Sequence, residues 1–195
     1  MIHASERNRP DVIVKRAVWK EQQSAMDAAS LVFLDESGVN TNLTRRYGRA
    51  RGKQRVMDST PLNTPKTTTI LSSVRTDGTT AHEFFSGALN GDIFQTTLAS
   101  TLHKGDVVVM DNLRCHKVKG VIEAIKNVGA HVLYLPPYSP DFNPIEMMWS
   151  KIKAILRKVK ARTIDALISA LPLAFDAVSV NDIYGWFQES GYSLS

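Results

Sequence analysis

Three carboxylates stand where a fold could gather them: Asp35 after Leu31-Val32-Phe33-Leu34, Asp111 after Val107-Val108-Val109-Met110, and Glu146 just past Asn143-Pro144. Acids crowded into one place repel each other and take up protons unless something positive stands among them. Carboxylate oxygens are hard ligands suited to Mg²⁺ or Mn²⁺, and Mg²⁺ completes its shell with water and phosphate. Two such ions, about 3.5–4 Å apart, activate an attacking water or 3′-hydroxyl and stabilise the leaving oxygen of an in-line displacement at phosphorus. Asp35 and Asp111 are the residues expected to bridge or anchor the ions, with Glu146 holding one from the side. Taken singly, an Asp at a strand end or a Glu in a first helical turn is most often a cap or a solvated residue. Together the three say more, because each follows a buried element and a run of cations begins beside the third.

The elements that must position them can be read from the same stretches. Val107–Met110 and Leu31–Leu34 are short, unbroken apolar runs, as strands buried on both faces are. The first surfaces at Asp111-Asn112; the second ends at Asp35-Glu36, with Ser37-Gly38 as the expected turn. A third strand, His131 to Leu135, runs into Pro136-Pro137-Tyr138-Ser139-Pro140, whose prolines forbid ladder and helix alike. Asn143 as cap and Pro144 as first helical residue then start a helix with Glu146 in its first turn. Its apolar stripe is Ile145, Met148, Trp149, Ile152, Ile155, Leu156 and Val159, and Glu146 heads a separate ridge of Ser150, Lys153, Arg157 and Lys160.

Elsewhere, residues 66–75 and 79–86 read as a hairpin turned at Thr76-Asp77-Gly78. Residues 91–102 read as a helix, and Val118, Val121, Ile122 and Ile125 as another, closed by Gly129. Residues 40–52 read as a basic loop with a short strand. Residues 1–30, with a weak helical pattern at Val14, Ala17 and Val18, look like an arm or connecting helix. Residues 31–162 form the expected catalytic domain, and residues 163–195 two helices capped by Thr163 and Ser179, with Trp186 and Phe187 packed back on the body. The order predicts an α/β fold with a mixed central sheet flanked by helices.

Charge is segregated. The chain has 195 residues and a net charge of +5. Arg45, Arg46, Arg49, Arg51, Lys53 and Arg55 form one acid-free cluster, and Lys151, Lys153, Arg157, Lys158, Lys160 and Arg162 another; beyond Thr163 there is no Lys or Arg. Such clustering is the footprint of a polyanion track, nucleic acid above all, whereas solubilising charge mixes the two signs. His116 and Lys117 are further candidates for phosphate contact, and Asn112 for orienting a ligand. The apolar runs are far too short to span a bilayer, so no membrane role is expected. No signal-peptide core opens the chain and Cys115 is the lone cysteine, which together predict a cytoplasmic location. The histidines show no zinc spacing, and the segment from Gly48 to Gly52 lacks the Lys-Ser/Thr ending of a phosphate loop.

Leu34-Asp35-Glu36-Ser37, Val-Val-Met-Asp111-Asn-Leu, His116-Lys117 and above all Leu135-Pro-Pro-Tyr-Ser-Pro-Asp-Phe-Asn-Pro-Ile-Glu146 resemble the catalytic domain of DDE transposases, in the bacterial insertion-sequence branch of the mariner superfamily. The resemblance runs from about Glu6 to Tyr192. It implies a ribonuclease-H-like fold and Asp35, Asp111 and Glu146 as the catalytic and metal-binding residues, served by two Mg²⁺ or Mn²⁺ ions. The implied reaction is cleavage at transposon ends followed by strand transfer, at TA targets. The partners expected are transposon-end and target DNA and a second copy of the chain. A separate helix-turn-helix domain or chain is expected to recognise the ends, since no such module fits before Leu31. Arg114-Cys115 stand where relatives commonly have Gly-Ser. The alternatives are a non-catalytic DNA-binding or regulatory transposase remnant, and a structure-specific nuclease of the same fold.

Overall fold

The computed structural model describes residues 4–45, 47–60, 67–78, 80–85, 101–112 and 119–193. The helix expected at 91–102 lies outside these residues, except for its last two positions. So do Arg46, Arg114, Cys115, His116, Lys117 and Val118.

Five strands form one sheet in the order β3-β2-β1-β4-β5: β1 Leu31–Asn40, β2 Thr67–Val74, β3 Thr80–Phe85, β4 Val107–Met110 and β5 His131–Tyr134. β1 pairs antiparallel with β2 and β2 with β3, while β4 runs parallel to both β1 and β5. The sheet is mixed, as expected. The hairpin turn closes with the Gly78 N–H donating to the Arg75 carbonyl at 3.2 Å, and Gly78 takes φ +91°, which a side chain would resist.

β1 is longer than predicted. Asp35 lies inside it rather than at its end, and Ser37-Gly38 is strand, not turn. The cause is the partner: β2 pairs with β1 from Phe33↔Val74 through Asn40↔Thr67, and that ladder satisfies the backbone where local propensity favours a turn. Glycine fits at position 38 because a Cβ there would stand 3.1 Å from the Thr67 side chain. The short strand expected in the basic loop is absent among the described residues from 41 to 60.

Helices cover both faces. On one lie α1 Pro10–Gln23, α3 Pro144–Val159, α4 Ile164–Asp176 and α5 Val180–Glu189; on the other lies α2 Lys119–Asn127. Alternation along the strands divides the core accordingly. Leu31, Phe33 and Val109 pack with Ile145, Met148 and Phe187. Val32, Leu34, Val108 and Met110 pack with Val121 and Ile125. Phe33 is fully buried, edge-on to Phe187 at 5.3 Å and to Tyr192 at 5.0 Å between centroids. Each such pair adds about 0.5–1.5 kcal/mol beyond burial.

The helix faces need two corrections. α1 buries Val12, Trp19 and Gln23, leaving Val14, Ala17 and Val18 outward; its Trp19 enters the same cluster as Phe33. In α3, Val159 is exposed, because the chain leaves the helix immediately after it through Lys160 at φ +58°. The caps at the C-terminal end follow the sequence: the Thr163 hydroxyl accepts from the Ala166 N–H, and Ser179 with Asp182 forms a capping box. Phe187 is buried, and Trp186 packs partly against the core.

Candidate active site

Register brings the first two acids level. The parallel ladder between β1 and β4 ends at Leu34↔Met110, so Asp35 is the next residue of β1 and Asp111 the first residue past β4. Alternation sets both on the side of Phe33 and Val109, the side covered by α3. The Leu135 N–H donates to the Met110 carbonyl at 2.9 Å. That bond seats the proline-rich loop over the end of β4, and the loop leads through Asn143 into α3 and Glu146.

Asn143 occupies the cap position, but its side chain makes no capping bond. The residue is buried and its Oδ1 has no hydrogen-bond partner; Pro144, which has no N–H to satisfy, is what starts the helix. The resulting cleft of about 470 Å³ is lined by Asp111, Asn112, Leu135 to Pro140, Asn143 and Glu146.

The three carboxyl groups sense one another. Asp35 is raised to about 7, first by burial and then by the charge of Glu146, with Asp111 adding to the effect. Opposing these are the Glu36 N–H, donating to Asp35 Oδ1 at 2.8 Å, and the Trp149 indole N–H, donating to Oδ2 at 3.1 Å. Glu146 opens on solvent, yet its carboxyl is also raised, by desolvation first, with Asp111 adding and Lys153 opposing. As placed, no three His, Cys, Asp or Glu side chains among the described residues close on a single ion. Two acids that resist ionisation, Asp35 and Glu146, with the Asp111 charge acting on both, are nonetheless the oxygen-donor set a hard divalent cation would satisfy.

The cationic candidates separate. Lys153 is near enough to lower the Glu146 carboxyl, whereas Lys160, just past the end of α3, lies about 21 Å from Glu146 along the helix axis, at about 1.5 Å per residue. Lys160 Nζ is paired with Asp58 Oδ1 at 2.8 Å, and Arg157 is half-buried one turn before it. Arg45, Arg49 and Arg51 lie on an exposed arm that doubles back on itself. A Cβ on its Gly48 would stand 2.6 Å from Val56, and Gly52 takes φ +66°. Arg162 holds the base of the arm, donating to the Thr41, Leu43 and Ser59 carbonyls at 3.2, 3.0 and 3.0 Å. The base of the arm thus meets the end of α3 away from the cleft, while Lys153 stays beside Glu146.

Sequence reasoning missed Trp149 as a donor, since its place on the apolar stripe explained it fully. It also missed Arg16 and Arg7 on α1 and the segment before it, which carry no motif; both bind Asp141.

The DDE superfamily endonuclease family model matches residues 30–168. The transposable element Tc1 transposase of Caenorhabditis elegans is 30% identical over 97 residues, 48% of this chain and 36% of the relative. Among solved structures, the Mos1 mariner paired-end complex with Mn aligns with a TM-score of 0.73 at 15% identity, covering 93% of this chain and 60% of that one. The catalytic domain of Mos1 mariner transposase aligns at 0.67 and 13% identity, covering 97% of this chain and 91% of that one. At those identities the likeness is one of fold, and the fold is ribonuclease-H-like. The chain spans little more than a third of the curated relative it matches.

Proposed function

The chain belongs to the DDE superfamily endonuclease family, and from that premise we propose that it is a transposase catalytic domain that cuts DNA at transposon ends and joins those ends to a target. The single observation that carries this is the register Leu34↔Met110, which sets Asp35 and Asp111 side by side beneath the helix of Glu146. The comparisons add support: Mos1 transposase was solved with transposon ends and with Mn or Mg.

Asp35, Asp111 and Glu146 would hold the divalent cation, two Mg²⁺ or Mn²⁺ ions in the full reading. When bound, such ions supply Lewis acidity to the attacking oxygen and neutralise charge developing at phosphorus. The chain's own residues do the rest. Trp149 and the Glu36 N–H keep both Asp35 oxygens oriented, Lys153 offsets the charge on Glu146, and the proline-rich loop walls the cleft in which a scissile phosphate would lie. Arg45, Arg46, Arg49, Arg51, His116, Lys117, Lys153, Arg157 and Lys160 are the proposed DNA contacts. Lys160 would do so only by giving up Asp58. A second copy of the chain and a helix-turn-helix recognition module are the proposed partners, and the cytoplasm the proposed location.

The test is metal-dependent nicking of duplex DNA, followed by strand transfer with pre-cut ends. Asp111→Asn and Glu146→Gln are expected to abolish both while leaving the melting temperature near wild type. Nicking retained in both variants sinks the proposal. Cutting without joining identifies a nuclease of the same fold, and salt-sensitive DNA binding without nicking identifies a regulatory module.

A further inference from the structure

The wall of the cleft lies outside the sheet and the α-helices, with Ser139 Oγ donating to the Pro137 carbonyl at 3.0 Å as an internal tie. Pro136, Pro137 and Pro140 have no N–H to enter a ladder, and Tyr138 takes φ +54°, a left-handed conformation that a bulky side chain resists. Arg16 of α1 fixes it from outside. Its Nη1 donates to the Tyr138 carbonyl at 3.3 Å, to Ser139 Oγ at 2.6 Å and to Asp141 Oδ1 at 3.0 Å. Its Nη2 donates to Asp141 Oδ2 at 2.6 Å, and the guanidinium lies 4.4 Å from the centroid of the Phe142 ring. The side chain is only 12% exposed. A planar fork that grips a carboxylate with two nitrogens and stacks on a ring is a task for arginine, which an ammonium cannot reproduce.

The grip is linked to Glu146 by consecutive turns. The Phe142 N–H donates to the Ser139 carbonyl, the Asn143 N–H to that of Pro140, and the Glu146 N–H to that of Asn143, each at 3.1 Å. α1 is also held by its apolar face: Val12 is buried and Trp19 enters the core cluster.

We propose that Arg16 is a positioning residue for the reaction. By clamping the loop through Asp141 it fixes where Glu146 stands relative to Asp111, so α1 belongs to the catalytic apparatus without touching the reacting atoms. The inference rests on the cleft being the active site.

The experiment compares the full chain with Arg16→Lys, Arg16→Gln and the isosteric Asp141→Asn, with Glu146→Gln as the inactive control. Three measurements are made on each: thermal melting, amide hydrogen exchange across residues 136–146, and Mg²⁺-dependent nicking over a range of duplex DNA concentrations. The Arg16 variants are expected to lose protection over 136–146 and to keep it in β1 and β4. Their nicking kcat is expected to fall at least roughly tenfold with KM for DNA nearly unchanged, the signature of a misplaced group rather than weakened binding. Asp141→Asn is expected to act in the same direction, and it carries the test if Arg16→Gln does not fold. Unchanged protection over 136–146, or kcat within about twofold of wild type, overturns the inference. A wild-type chain that does not nick overturns instead the reading of the cleft on which it stands.

Discussion

The indole N–H of Trp149 donates to Oδ2 of Asp35 at 3.1 Å, so the helix that carries Glu146 also holds a carboxylate of the sheet. Both partners are buried. Trp149→Phe keeps an aromatic ring against Phe175 and removes the donor. It should cost about 1–3 kcal/mol in chemical denaturation, since a buried carboxylate oxygen loses its partner, and it should slow nicking. Wild-type stability and rate in this variant would show the bond to be incidental.

Asp35 makes stability depend on pH with a definite sign. Its folded pKa is raised to about 7 from 3.8, so between those values the folded state holds a proton that the unfolded chain releases. The associated stability is present in full below pH 3.8 and is lost as pH rises through about 7. Asp35→Asn carries no such proton. It should therefore match wild type in acid and exceed it at about pH 8, by on the order of a few kcal/mol. Mg²⁺ should raise the melting temperature of wild type at that pH and not that of the variant. Urea titrations at the two pH values check the first statement, and thermal melts at about pH 8 with and without Mg²⁺ check the second.

Stability can be changed without touching the cleft. Arg75, just past β2, meets Asp106, just before β4, through bonds of 2.6 and 3.0 Å at the end of β1 opposite the acids. Both side chains are buried, at 9% and 6% exposure. Asp106→Ala leaves the buried guanidinium only the more distant Asp77, whose Oδ2 stands 3.7 Å from its Nε, and should cost about 3–5 kcal/mol. Denaturant midpoints measure this, and a loss below about 1 kcal/mol, the range of exposed pairs, would contradict it.

DNA affinity should report which cations are available. Arg49→Gln and Arg51→Gln, on the exposed arm, should each lower the slope of log Kd against log salt by about 0.9. Lys160→Gln should change it less, because its ammonium is already paired with Asp58. Anisotropy titrations on duplex DNA at several salt concentrations decide the order.

Much of this architecture is legible in the chain because it depends on local signals. Apolar runs mark β1, β4 and β5, Thr76 to Gly78 marks the hairpin, Pro144 marks the start of α3, and Ser179 with Asp182 marks α5. What escaped depends on partners distant in sequence. Ser37 and Gly38 look like a turn until β2 is laid beside them. Val12 and Trp19 make too sparse a stripe to declare the buried face of α1. The proline-rich motif placed Glu146, but nothing in its spacing says that an arginine more than a hundred residues earlier would clamp it. The basic clusters were legible as clusters; that Arg162 bonds the arm's base to the end of α3 follows only from the fold.

The shared register of β1 and β4 also works as a parity lock. Inserting or deleting one residue between Leu31 and Asp35 would turn the first acid toward α2, out of reach of Trp149 and of its two fellow acids, even if every strand still formed. A change of two residues would restore the side but misalign Asp35 with Asp111 by about 6–7 Å along the sheet. Length variation in related chains should therefore collect in the arm and hairpin turn, and spare the four residues that lead up to Asp35.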